Sequence, residues 1–448
     1  MALLIDSIGE LSTQHLTGEA SPGSGEGAGV LRDAAVVLDG ERIAWVGPAR
    51  HAPAADERFD AGGRAVLPGW VDSHSHLVFA GDRTAEFEAR MAGQAYAAGG
   101  IGVTMAATRE ASDAELRRLL SARLAEAVAG GTTYLETKTG YGLDVPHEVR
   151  SAVLAGEFVD EVTYLGAHLV PAGADAQEYT DLVCGEMLKA VLPHVRWADV
   201  FCERGAFSEE QSRRVLTACR DAGLGLRVHG NQLGPGPGVR LAVEFGAASV
   251  DHVNFLDEAD VEALAGSWVH WTGPGGAPGQ AGEAQDSLAS QDSWASQDSL
   301  ASQDAWASQD SLATAGTVAT VLPACDLSTR APLAPARRLL DAGVQVAIAS
   351  NCNPGTSYTS SVAYCVTTAV LQMGLSVQEA VRAATFGGAL ALRRHAGVDA
   401  DGQRAVGSIA VGHRADLQLL DAPSATHLAY RPGMPLTSAV WRAGRRVR

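Results

Sequence analysis

From about residue 65 to residue 349, short apolar runs alternate with longer segments of helical periodicity. The runs are Thr132–Thr137, Val162–Ala167, Ala198–Glu203, Gly225–Val228, Ala248–Asp251, Val318–Leu322 and Val344–Ala349. With Ala65–Val71 ahead of them they make eight. Runs this short and this continuously apolar read as strands covered on both faces. Between them, Ala111–Ala129 and Ser208–Ala222 carry a helical pattern. The second opens on Ser208-Glu209-Glu210-Gln211, which has capping-box form. Eight strands alternating with helices predict an α/β fold of the (β/α)8 barrel kind. A doubly wound open sheet shares the alternation, but no glycine-rich phosphate loop follows the first strand.

The two ends of the chain have a different pattern. Ala34–Gly47 reads as a hairpin turning at Asp39-Gly40. Gly407–Gly412, Ala415–Leu420 and Ala439–Gly444 read as short strands. The expectation is a small composite β-sandwich domain built from both termini, residues 1–64 plus 404–448, around a barrel of residues 65–403. A low-complexity insert at about 273–315 interrupts the barrel. Within it a hexad repeats from Ala284 to Ala313, with Leu288, Trp294, Leu300, Trp306 and Leu312 marking the period. A period of six fits neither a helix stripe nor a heptad, so this segment is given no catalytic role.

Composition narrows the class. A chain of 448 residues that is 46% hydrophobic can bury one large core and a satellite. A formal net charge of -18 argues against nucleic acid and anionic membrane as partners. No apolar stretch approaches the roughly 20 residues that span a membrane, and no secretory signal is apparent at the N-terminus. The six cysteines are scattered without a CxxC pair, as expected of free thiols in a reducing, cytoplasmic compartment.

The candidate chemistry lies at strand ends. His74 and His76 follow the first apolar run, and residues i and i+2 of a strand face the same way. His168, His229 and His252 stand at the ends of the third, fifth and sixth strands. Five of the thirteen histidines therefore collect where barrel enzymes keep their active sites. A metal needs several neutral imidazoles and an open position for water. His74, His76 and His229 are the expected ligands, with His168 and His252 facing the substrate.

The stretch Leu67-Pro68-Gly69-Trp70-Val71-Asp72-Ser73-His74-Ser75-His76 resembles the opening signature of the amidohydrolase superfamily. The closer likeness is to its imidazolonepropionase family. It rests on Gly81-Asp82-Arg83, Lys138-Thr139-Gly140-Tyr141-Gly142-Leu143, Leu165-Gly166-Ala167-His168, Asp199-Val200-Phe201-Cys202-Glu203, Val228-His229-Gly230-Asn231-Gln232 and Cys352-Asn353-Pro354-Gly355. The resemblance implies hydrolysis of 4-imidazolone-5-propanoate, a small molecule, to N-formimino-L-glutamate in histidine degradation. It also implies one Zn2+ or Fe3+ and a homodimer. Arg83 would pair with the substrate carboxylate. Tyr96, Tyr141 and His168 would hydrogen-bond the ring and tail, and Asn353 and Gly355 would complete the substrate site.

Two positions depart from the family pattern. After the eighth strand the pattern is Thr-Asp-x-Asn-Pro-Gly, whereas this chain has Ser350-Asn351-Cys352-Asn353-Pro354-Gly355. Asn351 offers a metal a neutral carbonyl oxygen but accepts no proton from water. Gln232 stands where the pattern often has Glu, and it can position a ring but not shuttle protons. One reading is a working hydrolase in which His252, or a carboxylate elsewhere, takes over as base beside Gln232 and Asn351. The alternatives are a catalytically impaired member that keeps metal or ligand binding, and a deaminase of the same superfamily.

Overall fold

The computed structural model describes residues 1–15, 29–93, 100–271, 315–398 and 402–448. The hexad insert and Tyr96 lie outside the described residues. Eight parallel strands follow one another around a nearly closed barrel: Trp70–Asp72, Thr132–Lys138, Glu161–Ala167, Trp197–Cys202, Gly225–Gly230, Ser249–His252, Val318–Val321 and Val346–Ile348. They agree with the predicted runs to within a few residues. Nearly every position in them is buried, as expected when side chains fill the barrel on one face and helices cover the other.

The helices are set by their caps. Ser112 starts the helix Asp113–Ala129 by accepting from the Glu115 amide. Ser208 starts Glu209–Asp221 with the predicted box, Ser208 Oγ accepting from the Gln211 amide at 3.3 Å and Gln211 Oε1 from the Ser208 amide at 3.0 Å. Asp257 and Ser376 build the same box farther on.

The seam between the first and eighth strands is closed by the segments that follow them. The Asn351 amide donates to the His74 carbonyl at 2.9 Å, and the His76 amide donates to the Cys352 carbonyl at 2.9 Å. Beneath them Asp72, fully buried, accepts from the Ser350 amide at 2.9 Å and the Ser350 hydroxyl at 2.5 Å. On the other side, the Lys138 amide donates to the Ser75 carbonyl at 2.9 Å. His74-Ser75-His76 is thus clamped between two neighbours although it lies past the end of its strand.

The two termini join in one continuous mixed sheet. Its order is Arg445–Arg446, Thr437–Arg442, Leu417–Leu420, Ala65–Pro68, Ala2–Ser12, Val30–Asp39 and Arg42–Pro48, and Glu57–Asp60 branches from Ala2–Ser12. Ile5, Ile8, Leu11, Val36, Leu417 and Trp441 form its core. The apolar run Ala65–Val71 serves both sheets: Ala65–Pro68 pairs with Leu417–Leu420, and after Gly69 the chain enters the barrel. Val36↔Val46 and Asp39↔Arg42 are in register across the expected hairpin.

Two expectations are corrected. Gly407–Gly412 is not a strand. Gly407 and Gly412 have φ of 79° and 89°, and the bonds of the segment go singly to Thr13 and Ile43 rather than to one neighbour. His194 and His395, in helix or loop contexts, read from sequence as surface groups, but His395 is not one. It is buried against Trp271 and Phe386, and burial pushes its pKa down from 6.5 to about 3. His194 is exposed, as expected.

Two outcomes follow. Asp72→Ala leaves the Ser350 amide and hydroxyl buried without their acceptor, and should lower stability by ~2–4 kcal/mol in chemical denaturation; an unchanged midpoint would mean that the seam is held by other bonds. His395 is neutral in the folded chain but titrates at 6.5 when free. Its contribution is therefore whole above 6.5 and is lost as pH falls toward about 3. Stability should decline between about pH 6.5 and 4, and His395→Leu should flatten that decline. Equal slopes in the two proteins would remove His395 as the cause.

Candidate metal centre and active site

Three imidazoles converge at the C-terminal mouth of the barrel. His74, His76 and His229 each present a ring nitrogen, all within 4.8 Å of one another. His76 Nε2 lies 3.3 Å from His74 Nε2 and 3.4 Å from His229 Nε2. All three side chains are buried.

Carboxylates set the tautomers. His74 Nδ1 lies 2.7 Å from Asp251 Oδ2, and His229 Nδ1 lies 3.0 Å from Asp199 Oδ1. Burial alone would raise the pKa of both acids, but the imidazoles they hold and the adjacent cations outweigh it and keep both well below the usual carboxylate range. Arg227 Nη2 is 3.3 Å from Asp251, and Lys138 Nζ is 2.9 Å from Asp199. An ionised carboxylate only accepts, so each Nδ1–H donates outward and each Nε2 turns its lone pair to the centre. Burial also pushes the pKa of His74 down to about 3 and that of His76 well below 6.5, so both rings are neutral and ready to ligate.

The charge balance points the same way. Lys138 also pairs with Glu136 at 3.0 Å. Two buried cations, Lys138 and Arg227, stand among three buried carboxylates, Glu136, Asp199 and Asp251. One negative charge is left over beside the three imidazoles, two of them with lone pairs fixed inward, an arrangement that a cation at the centre would complete. The carboxamide oxygen of Asn351 is buried with no hydrogen-bond partner. Asn351 has φ of 51°, a left-handed conformation that asparagine tolerates better than most residues. A buried orphan carbonyl and three imidazoles are suitable donors for Zn2+ or a similar ion.

His252 borders the cluster, its ring centroid 5.7 Å from that of His74 and 5.3 Å from that of His229. Its Nδ1 is buried without a partner, and its φ of 84° is a strained value for a residue with a side chain. Burial lowers its pKa well below 6.5. His168 stacks on His76 at 5.6 Å and 22°. Its Nδ1–H donates to the Gly140 carbonyl at 2.9 Å, which leaves Nε2 as an acceptor, and burial pushes its pKa down to about 4. Tyr141 lies beside it at 5.4 Å.

Gln232 is buried, its amide donating to Glu203 at 2.5 Å and its Nε2 lying 3.8 Å from Cys325 Sγ. Asn353 spends its side chain on its own loop. Its Nδ2 donates to the Asn351 carbonyl and Thr356 Oγ1, and its Oδ1 accepts from the amides of Gly355 and Thr356. Gly355 packs so closely on Arg83 that a Cβ there would overlap the guanidinium. Arg83 is buried and bidentate with Glu86, Nε at 2.8 Å and Nη2 at 2.7 Å. Burial pushes the Cys352 thiol up to about 12, so it is protonated and no nucleophile.

Sequence reasoning gave no role to Glu86, Glu136, Lys138, Asp199, Arg227 or Asp251. For those in the barrel strands, the available signal was a charged residue among apolar neighbours. Such a residue is buried and must find a partner of opposite charge. Which partner it finds is decided across strands and is not written locally.

The amidohydrolase family model matches residues 65–447. The chain is 68% identical over 448 residues to the imidazolonepropionase of Arthrobacter sp. (strain FB24), covering 100% of each. It is 60% identical to that of Micrococcus luteus, covering 99% of each. Solved structures share the fold at low identity. A mutant of the atrazine chlorohydrolase TrzN of Arthrobacter aurescens TC1, complexed with zinc and atraton, aligns with a TM-score of 0.65 at 17% identity over 99% of this chain and 95% of that one. A zinc-bound adenosine deaminase from Xanthomonas campestris aligns with a TM-score of 0.64 at 18% identity over 99% of this chain and 92% of that one. The chain belongs to the amidohydrolase family, within the group of the imidazolonepropionases.

Proposed function

We propose that the protein hydrolyses 4-imidazolone-5-propanoate to N-formimino-L-glutamate in histidine degradation, with one metal ion, Zn2+ or Fe3+, held by His74, His76, His229 and the Asn351 carbonyl oxygen. The observation that carries this reading is the buried convergence of three imidazoles in a chain so similar, end to end, to imidazolonepropionases. That similarity favours the hydrolase over an impaired binding protein or a deaminase.

Hydrolysis adds water across the carbonyl C–N bond of the ring. The carbonyl carbon becomes a carboxylate carbon, and the ring nitrogen leaves as part of the formimino group. When bound, the metal supplies Lewis acidity that eases deprotonation of a water. His252 is the proton acceptor in this scheme: it is neutral, next to the cluster, and has an unpartnered Nδ1. His168 Nε2 accepts from a ring N–H, and Tyr141 lines the same wall. Gln232 orients the ring without moving a proton. Arg83, backed by Gly355, takes the propanoate carboxylate. Asn353 acts by shaping the loop that presents Asn351 and Gly355. The free, mostly buried cysteines support a reducing cytoplasmic setting, and a homodimer is part of the same reading.

Elemental analysis of the purified protein should find about one metal per chain, since the single cluster of His74, His76 and His229 would hold one ion. His229→Ala should lose both the metal and the decay of imidazolone absorbance. A metal-free protein with full turnover would end this proposal. Asn351→Asp restores a negative ligand able to accept a proton, and should raise kcat by at least ~10²-fold, a typical general acid–base contribution. Equal turnover in the two proteins would show that His252 alone suffices.

A further inference from the structure

The Arg83 fork that would receive a substrate carboxylate is occupied by a carboxylate of the protein itself. Glu86, three residues on, takes Nε and Nη2 of Arg83 at 2.8 and 2.7 Å. A second guanidinium shares that carboxylate: Arg90 Nη1 lies 3.2 Å from Glu86 Oε1. Arg90 Nη2 also donates to the Gly355 carbonyl at 2.7 Å, on the loop whose glycine packs against Arg83. Both arginine side chains are 3% exposed, whereas Glu86 is 29% exposed. The carboxylate is therefore the movable member, between two fixed cations. The group is also close enough to the imidazoles for the Arg83 charge to act on His168.

We propose that Glu86 is an internal surrogate for the substrate carboxylate, and that Arg90 is the positioning residue that takes Glu86 over when substrate binds Arg83. The exchange needs no net change in ion pairing. In the structure, both guanidiniums reach the same carboxylate. With substrate bound, each guanidinium has its own carboxylate, Arg83 the ligand's and Arg90 that of Glu86. Glu86 satisfies the buried Arg83 fork when no ligand is present. An uncharged ring lacks the carboxylate that releases Glu86, so the device selects for the acidic side chain. This inference rests on the proposed hydrolysis.

The test is steady-state kinetics on four full-length proteins: unaltered, Glu86→Gln, Arg90→Met and the double variant, with thermal melts confirming that each folds. Glu86→Gln removes the competitor and leaves two cations, so KM for imidazolone propanoate should fall about three- to tenfold, the size of a partly exposed charge interaction. Arg90→Met leaves Glu86 on Arg83 alone, so KM should rise at least about tenfold. The double variant leaves Arg83 with no competitor, and KM should return to within about threefold of the unaltered value. The changes should fall in KM rather than kcat. They should vanish with the propanamide analogue, whose side chain is uncharged. If the unaltered protein hydrolyses the substrate and KM does not move in opposite directions in the single variants, or the double variant is no better than Arg90→Met, the exchange is overturned. Absence of hydrolysis by the unaltered protein would instead remove the functional reading.

Discussion

Each of two imidazoles at the barrel mouth is held by an ionised carboxylate behind it, and the rest of the site depends on those two bonds. Asp251 and Asp199 fix the tautomers of His74 and His229, which decides whether lone pairs or protons point at the centre. The carboxylates are in turn kept ionised against burial by the imidazoles they hold together with Lys138 and Arg227. Such a network is expensive to bury and specifies little stability by itself. Its value lies in orientation. Lys138, Asp199, Arg227, His229 and Asp251 all belong to barrel strands, so their separations are set by the ladder.

The loops after the strands supply what the strands cannot. His74-Ser75-His76 and Asn351-Cys352 hydrogen-bond to each other, so the seam of the barrel and the metal cluster are one construction. The loop Asn353–Thr356 is shaped by the Asn353 side chain. It carries Gly355 to a place where a side chain would displace Arg83. Recognition of an acidic ligand is thereby coupled to the geometry of the same loop that ends at Asn351.

Asn351 shows how a chemical departure can leave a fold intact. Asparagine is nearly isosteric with aspartate and accepts the left-handed backbone at this position. Its amide still closes the seam to His74. What changes is charge: the oxygen turned to no partner is neutral. The surrounding carboxylates already leave one negative charge on the cluster, so attraction for a cation does not rest on Asn351 alone.

The order of the barrel strands, the capping box at Ser208 and the five histidines at strand ends were legible from local pattern. Periodicity, capping and strand polarity act over a few residues and need no knowledge of the rest of the chain. The run Ala65–Val71 read as one strand although Pro68-Gly69 breaks it; the dipeptide marks a break but not that the two halves belong to different sheets. His395 read as a surface group because local pattern does not show that Trp271, far off in sequence, and Phe386, on the preceding helical segment, close over it. The same holds for Glu86 in the Arg83 fork and for the carboxylate assigned to each imidazole. Residue types and their spacing determined which chemistry was available: imidazoles, a guanidinium, and a carboxamide in place of an acid. Only the tertiary structure decided which buried charge faces which, because that pairing is made between strands and loops brought together by the fold, where desolvation makes each partner obligatory.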